Sequence, residues 1–279
     1  MVRVDAEPRI AYAWPSVLRT PMKGILICGG TGSRLRPLTE ITNKSLLPVY
    51  DKPLILYPLE TLREGGIKDI MIVSGNEHID QMAGFLGSGE RFGCKFTYRV
   101  QDRPEGIAQA LGMAAEFADG ESVCAVLGDN IYFDHIGPAI AAFRGGAHVF
   151  LKEVPDAQRF GVAEIGDGGR VLSIEEKPER PKSPFAVTGC YIYDHRCFDV
   201  VRQLQPSPRG EYEITDVSRW YMQQGELRAD ILRDEWIDAG TFDSLFRASE
   251  AVRERKLAQD AAVGSKVEEA MKARIVAGR

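Results

Sequence analysis

The sequence predicts an α/β fold, a three-layer sandwich whose mainly parallel sheet is covered by helices on both faces. Three observations predict it. Short continuous apolar runs of strand length recur at 24–28, 69–74 and 123–128. Segments of helical length and composition separate them. The two kinds alternate from residue 22 to residue 127, the order that parallel crossovers produce.

In chain order, 24–28 reads as a buried strand and 53–64 as a helix, with Pro53 in its first turn and Gly65-Gly66 as its stop. Then come a strand at 69–74, a helix at 77–86, a strand at 95–100, an alanine-rich helix at 106–117 and a strand at 122–127. The second half changes character. Residues 161–165 and 170–175 flank Asp167-Gly168-Gly169 and read as a hairpin. Further strands are expected at 186–194, 227–232 and near 236–237, and helices at 198–204, 213–223 and 242–255. Residues 1–21, with Pro8, Pro15 and Pro21 and no apolar periodicity, read as an extension: a disordered arm or a start site placed upstream of Met22. It lacks the apolar stretch of a signal peptide. One domain is expected over 22–255, with a short helical tail at 256–279 broken at Gly264-Ser265.

Composition excludes several classes. With 279 residues, 44% hydrophobic and 27% charged, the chain can bury a sizeable core. Its apolar runs are far short of the ~20 residues of a membrane span. A net charge of −5 argues against non-specific nucleic-acid binding, which relies on Lys and Arg. The five cysteines, Cys28, Cys94, Cys124, Cys190 and Cys197, have no CxxC spacing. They read as buried apolar groups in a reducing, cytoplasmic compartment. The four histidines, His78, His135, His148 and His195, are scattered, so no His/Cys metal site is expected.

Parallel sheets bind ligands at the carboxyl ends of their strands, which points to loops 29–36, 101–106 and 128–134. Gly29-Gly30-Thr31-Gly32-Ser33-Arg34 is either a plain turn or a backbone cradle for an anion. Leu35 stands where a dinucleotide fingerprint needs glycine, and no Gly-Lys-Ser/Thr follows as in a Walker A loop. Arg34, Arg36 and Lys44 nearby favour a polyphosphate clamp. Asp129, after a buried strand, is either a turn residue beside Asn130 or a Mg²⁺ ligand. Asp238 is either part of a helix start capped by Thr241 or a second such ligand. Glu175-Glu176-Lys177-Pro178 is either a solvated charge run or a pair suited to a sugar hydroxyl and a phosphate. Gln101 and Gly106 border a loop where an amide and bare backbone could read a base edge.

Together, the run from Gly29 through Leu35, Pro37-Leu38-Thr39, Lys44 and 46–53 (LLPVYDKP) resembles the signature of the sugar-1-phosphate nucleotidyltransferase family. QDRPEGIAQA at 101–110, Leu127-Gly128-Asp129-Asn130, Glu175 to Pro178, Val187-Thr188-Gly189 and the 209–216 segment resemble its thymidylyltransferase branch. The likeness runs from about 22 to about 253, with Ser33 and Ile107 as mild departures from the usual threonine and leucine. It implies a Rossmann-like sheet with an inserted sugar-binding hairpin region. It also implies a Mg²⁺-dependent reaction of dTTP with glucose 1-phosphate, and a homo-oligomer, tetramer or dimer. Carried over by motif, Gly29, Gly30, Thr31, Gly32 and Ser33 would cradle the triphosphate, with Arg34 stabilising the departing pyrophosphate. Lys44 would contact phosphates, Asp129 and Asp238 would hold Mg²⁺, and Gln101 and Gly106 would face thymine. Gly161, Glu176, Lys177, Thr188 and Gly189 would line the sugar phosphate. The tail carries no motif matching the regulatory nucleotide site of longer members. The rivals are the same fold using UTP, and a non-catalytic sugar-nucleotide sensor that should have lost a cation or a metal ligand.

Overall fold

A computed structural model describes residues 22–277, and for 263–277 the backbone alone. The extension at 1–21 lies outside the described residues. The first half runs β1 (Met22–Cys28), the short strands β2 (Pro48–Val49) and β3 (Lys52–Pro53), α1 (Leu56–Glu64), β4 (Asp69–Gly75), α2 (Ile79–Leu86), β5 (Lys95–Gln101), α3 (Ile107–Gly112), α4 (Ala115–Ala118) and β6 (Ser122–Leu127). The second half runs β7 (Asn130–Tyr132), α5 (Gly137–Ala142), β8 (Ala147–Glu153), β9 (Gly161–Ile165), β10 (Val171–Glu176), β11 (Phe185–Tyr193), α6 (Cys197–Gln203), α7 (Ile214–Gln223), β12 (Leu227–Ile231), β13 (Trp236–Asp238) and α8 (Phe242–Ala277).

Nine strands form one sheet in the order β10-β9-β11-β6-β1-β4-β5, with β8 beside β11 and β12 beside β8. The strands β6, β1, β4 and β5 are parallel throughout. At β11 the direction reverses, Cys190 facing Val126 of β6, and β9, β10 and β8 continue antiparallel. The parallel character is thus concentrated in the half where strand and helix alternate, and the hairpin half makes the sheet mixed.

Alternation along β1 shows why the fold has three layers. Ile25 and Ile27 pack on one face with Ala108, Leu111, Phe198, Val217 and Tyr221 from α3, α6 and α7. Leu26 and Cys28 pack on the other with Leu59, Leu62, Met82 and Ile140 from α1, α2 and α5. Successive strand residues point to opposite faces, so an unbroken apolar strand serves two cores.

Several elements differ from the sequence expectation. The helix expected at 106–117 divides into α3 and α4 at Ala114, whose φ of −91° and ψ of 4° leave the helical range. Strands β2, β3, β7 and β8 and helix α5 were not expected, and Pro53, expected in the first turn of a helix over 53–64, lies in β3, with α1 starting at Leu56. The helix α8 is continuous across Gly264-Ser265, where a break was expected. Among the described residues no helix is long and apolar enough to cross a membrane.

Candidate active site

A cleft of about 560 Å³ opens at the carboxyl ends of β1, β5 and β6. Of the residues singled out from sequence, Gly29, Gly30, Arg34, Lys44, Gln101, Gly106, Asp129, Gly161, Glu176, Lys177, Gly189 and Asp238 line it. Thr31 and Gly32 line an adjoining hollow that shares Gly30, Lys44 and Gln101 with the main cleft. Ser33 lines neither; it opens the helical turn Ser33–Leu35, which buries Leu35 and projects Arg34.

The glycine loop is shaped by close neighbours. A Cβ on Gly29 would collide with Oε1 of Gln101. Gly32 has φ +59°, and a Cβ there would meet Thr39 Cγ2 at 2.8 Å. Its carbonyl accepts from Thr39 Oγ1 at 2.8 Å. Gly30, at φ +92°, faces open space. Asn43 anchors the far end of the loop by donating to the Cys28 carbonyl at 2.9 Å and accepting from the Ser45 amide at 2.8 Å.

The two aspartates are far apart in sequence and meet through β7 and β13. These strands pair antiparallel with Asp238 opposite Asn130, and the Ala239 amide donates to the Asp129 carbonyl at 2.9 Å. Asn130 holds the junction. Its Nδ2 donates to Asp129 Oδ1 at 3.0 Å, while its Oδ1 accepts from the Gly189 amide at 3.0 Å and from Trp236 Nε1 at 2.7 Å. Lys44 forms an ion pair with Asp129. Burial opposes both charges, yet each holds the other: Asp129 lies below the usual carboxylate range and Lys44 above the usual amine. Asp238 has no such partner, and burial followed by the Asp129 charge pushes it up to about 6. Arg34 lies alongside, its Nη2 at 2.9 Å from the position of a Cβ on Gly240. The helix-start reading of the Asp238 region holds, because Thr241 and Ser244 cap α8 with reciprocal bonds of 3.0 and 3.2 Å.

A third group sits at the end of the hairpin. Glu176 Oε2 accepts from Thr215 Oγ1 at 2.5 Å, and Arg209 and Lys177 approach Oε1 at 3.5 and 3.8 Å. Lys177 adopts φ +42°, rare for a side chain other than glycine, and its amide donates to the Phe160 carbonyl at 3.0 Å. Such backbone is held by its surroundings and clusters at functional sites. Gly161 is close by: a Cβ on it would lie 3.1 Å from Thr215 Oγ1 and 3.5 Å from Glu176 Oε2.

Thr188 stands apart from the cleft lining. Its side chain is fully buried and accepts from the Tyr132 hydroxyl at 3.2 Å, turned away from the cleft. The strand alternation that lets Val187 and Gly189 face the cleft carries Thr188 to the other side. Sequence reasoning also passed over Arg159, Arg209, Glu213, Thr215, Tyr191 and Trp236, which line the cleft. For Arg209, Glu213 and Thr215 the signal was present as part of the 209–216 motif, without a role attached.

The family model described as nucleotidyl transferase matches residues 23–255. A glucose-1-phosphate thymidylyltransferase of Neisseria meningitidis is 46% identical over 238 residues, 83% of each chain. One from Mycolicibacterium smegmatis is 42% identical over 257 residues, 90% of this chain and 89% of that one. A Bacillus anthracis crystal structure, described as a candidate glucose-1-phosphate thymidylyltransferase in complex with a sucrose, is 48% identical with a TM-score of 0.79. It covers 84% of this chain, and 96% of its own length is matched. A UDP-glucose pyrophosphorylase structure with UDP-glucose shares the fold at 24% identity and a TM-score of 0.75, covering 84% of this chain and 100% of that one.

Proposed function

The chain belongs to the nucleotidyl transferase family, and we propose that it joins dTTP to α-D-glucose 1-phosphate, giving dTDP-glucose and pyrophosphate. It is an enzyme acting on small molecules. One observation carries the substrate reading: Gly29 and Gly30 with Arg34 and Lys44, the two aspartates, and the Glu176–Lys177–Arg209 cluster share a single cleft. The thymidylyltransferases among its relatives support the same pair.

The reaction forms a bond from a phosphate oxygen of the sugar phosphate to the α-phosphorus of dTTP and breaks the bond to the leaving pyrophosphate. A sugar phosphate is already ionised at neutral pH, so no side chain has to remove a proton. The protein's work is alignment and charge neutralisation. In this reading the backbone of 29–33 cradles the triphosphate, Arg34 neutralises charge on the departing pyrophosphate, and Lys44 contacts phosphate oxygens from its place against Asp129. Gln101 and the bare backbone of Gly106 face thymine. Glu176 accepts a sugar hydroxyl, Lys177 and Arg209 meet the sugar phosphate, and Gly161 and Gly189 let the ligand approach the backbone.

A divalent metal requirement goes with the family, and we assign it to Mg²⁺ at Asp129 and Asp238. The donor set fits. Two hard carboxylates are brought together, with burial and then the Asp129 charge pushing the Asp238 carboxyl up, and Mg²⁺ takes one or two carboxylates and completes its shell with phosphate and water. When bound, it would neutralise charge on the α-phosphate. A homo-oligomer, dimer or tetramer, in the cytoplasm completes the proposal. The five free cysteines fit a reducing compartment, and light scattering of the purified protein checks the assembly.

The test is pyrophosphate release with glucose 1-phosphate and Mg²⁺, run in parallel with dTTP, UTP, GTP, CTP and ATP. Fast release with dTTP and a weaker signal with UTP is expected, since one methyl group is worth ~10–200-fold. Silence with dTTP in folded protein overturns the proposal.

A further inference from the structure

Gln101 ends β5 with its side chain in the cleft and 4% of its surface exposed. An amide in that position has two orientations of nearly equal shape, one presenting oxygen where the other presents nitrogen. A relay behind it removes the choice. Gln101 Nε2 donates to Gln109 Oε1 at 2.6 Å, and Gln109 Nε2 donates to Glu105 Oε2 at 3.4 Å. A carboxylate offers only acceptors, so Glu105 must face the amide nitrogen of Gln109. The oxygen of Gln109 then faces Gln101, which must answer with its own nitrogen.

Backbone bonds hold the relay in place. The Glu105 carbonyl accepts from the Tyr212 amide at 2.7 Å, and the Ala108 amide of α3 donates to the Tyr212 carbonyl at 3.1 Å. Gly106, at φ +110°, lies so close to Tyr212 that a Cβ would meet its carbonyl oxygen at 2.5 Å. Neither Glu105 nor Gln109 lines the cleft, whereas Gln101, Pro104, Gly106 and Ile107 do.

We propose that Glu105 and Gln109 are positioning residues that fix the polarity of the Gln101 amide and thereby the choice of pyrimidine. The inference rests on the reading that this cleft takes dTTP. Thymine and uracil present an N3–H donor beside the O4 acceptor, while cytosine presents an N3 acceptor beside an N4 donor. For a base in one position, an amide that suits the first pattern opposes the second. The pinned amide keeps one oxygen and one N–H of Gln101 for the base.

The test compares kcat/KM for dTTP and dCTP, by pyrophosphate release, in the wild type and three variants. Gln109→Leu and Glu105→Gln free the amide and should raise the dCTP-to-dTTP ratio by about tenfold or more, leaving KM for glucose 1-phosphate unchanged. The double variant Glu105→Gln/Gln109→Glu rebuilds the polarity, because Gln at 105 donates to a carboxylate at 109 that still accepts from Gln101. It should return the ratio to near the wild-type value. If Gln109→Leu unfolds, the near-isosteric Glu105→Gln carries the test alone. An unchanged ratio in Glu105→Gln, or no return in the double variant, overturns the relay. A wild type that does not use dTTP at all overturns the functional reading instead.

Discussion

At the end of the cleft assigned to the nucleotide, the groups facing the ligand are fixed by neighbours before anything binds. Gly29 is pressed on Gln101, Gly106 on Tyr212, and Lys44 is paired with the buried Asp129. At the end assigned to the sugar, half-exposed charges share partners. Arg209 divides itself among Glu176, Glu211 and Glu213, while Lys177 reaches the same Glu176 oxygen from 3.8 Å. In the proposed reading one end recognises by shape, with bare backbone and oriented amides, and the other recognises by charge and can exchange an internal partner for a ligand. Volume changes should therefore hurt the first end, and charge or pH changes the second.

The largest effect is expected where the chemical step itself depends on one charge, at the nucleotide end. Arg34→Ala should lower kcat by ~10²–10³, the usual loss when a preorganised charge stabiliser is removed, with KM for glucose 1-phosphate little changed. Single-turnover kinetics check this, and near-full kcat would remove Arg34 from the chemistry. Next comes shape. Gly29→Ala places a methyl group where Gln101 Oε1 lies, and small misplacements near a reacting centre cost up to about 10²-fold. The loss should fall on kcat/KM for dTTP. An equal loss for the sugar phosphate would mean that the two ends are not separately built.

Charge comes third. Glu176→Gln should raise KM for glucose 1-phosphate about tenfold, since hydrogen bonds to an ionised group are the stronger kind, and leave dTTP alone. Burial first, then Glu213, raises the Glu176 carboxyl above its ordinary value. The folded protein therefore holds this proton more tightly than the unfolded chain. The Glu176 contribution to stability falls as pH rises from the ordinary carboxylate value through the raised one, and stays lowered at neutral pH. Glu176→Gln should flatten that part of the stability–pH curve and raise Tm at pH 7. In the wild type the sugar KM should climb as pH drops through the same window, and in the variant it should not. Thermal unfolding and initial rates across mildly acidic pH read both effects.

How much of this was legible in the sequence follows from how far apart the partners lie. The long strands and most helices of 22–127 and the three ligand loops could be read locally, because each is bounded by its own glycines and polar residues, whereas the short strands β2 and β3 and the break between α3 and α4 could not. The meeting of Asp129 with Asp238 could not, since it depends on the pairing of β7 and β13 across about a hundred residues. Each aspartate alone was equally a turn residue. Strand β8 was missed for a similar reason. It is as long as β1, but its partners β11 and β12 lie far along the chain. The Glu176–Thr215–Arg209 cluster was visible as two motifs, but their contact was not.

Thr188 gives the smallest expected effect and the sharpest test of where recognition ends and scaffold begins. Motif placement puts it against the sugar phosphate, yet its hydroxyl points away and accepts the Tyr132 proton at 3.2 Å. Gly189 beside it has already committed its amide to Asn130 at 3.0 Å, so this stretch of β11 offers the ligand bare surface, without a hydroxyl. Thr188→Val keeps the shape and removes only the acceptor, leaving the Tyr132 hydroxyl without its partner. That should cost about 1–3 kcal/mol of stability, seen as a fall of several degrees in Tm, with both KM values unchanged. A selective rise in KM for glucose 1-phosphate at unaltered Tm would instead place the hydroxyl in contact with the sugar. The sugar end would then include a side chain fixed as firmly as Gln101, and the contrast between the two ends would narrow to their charge.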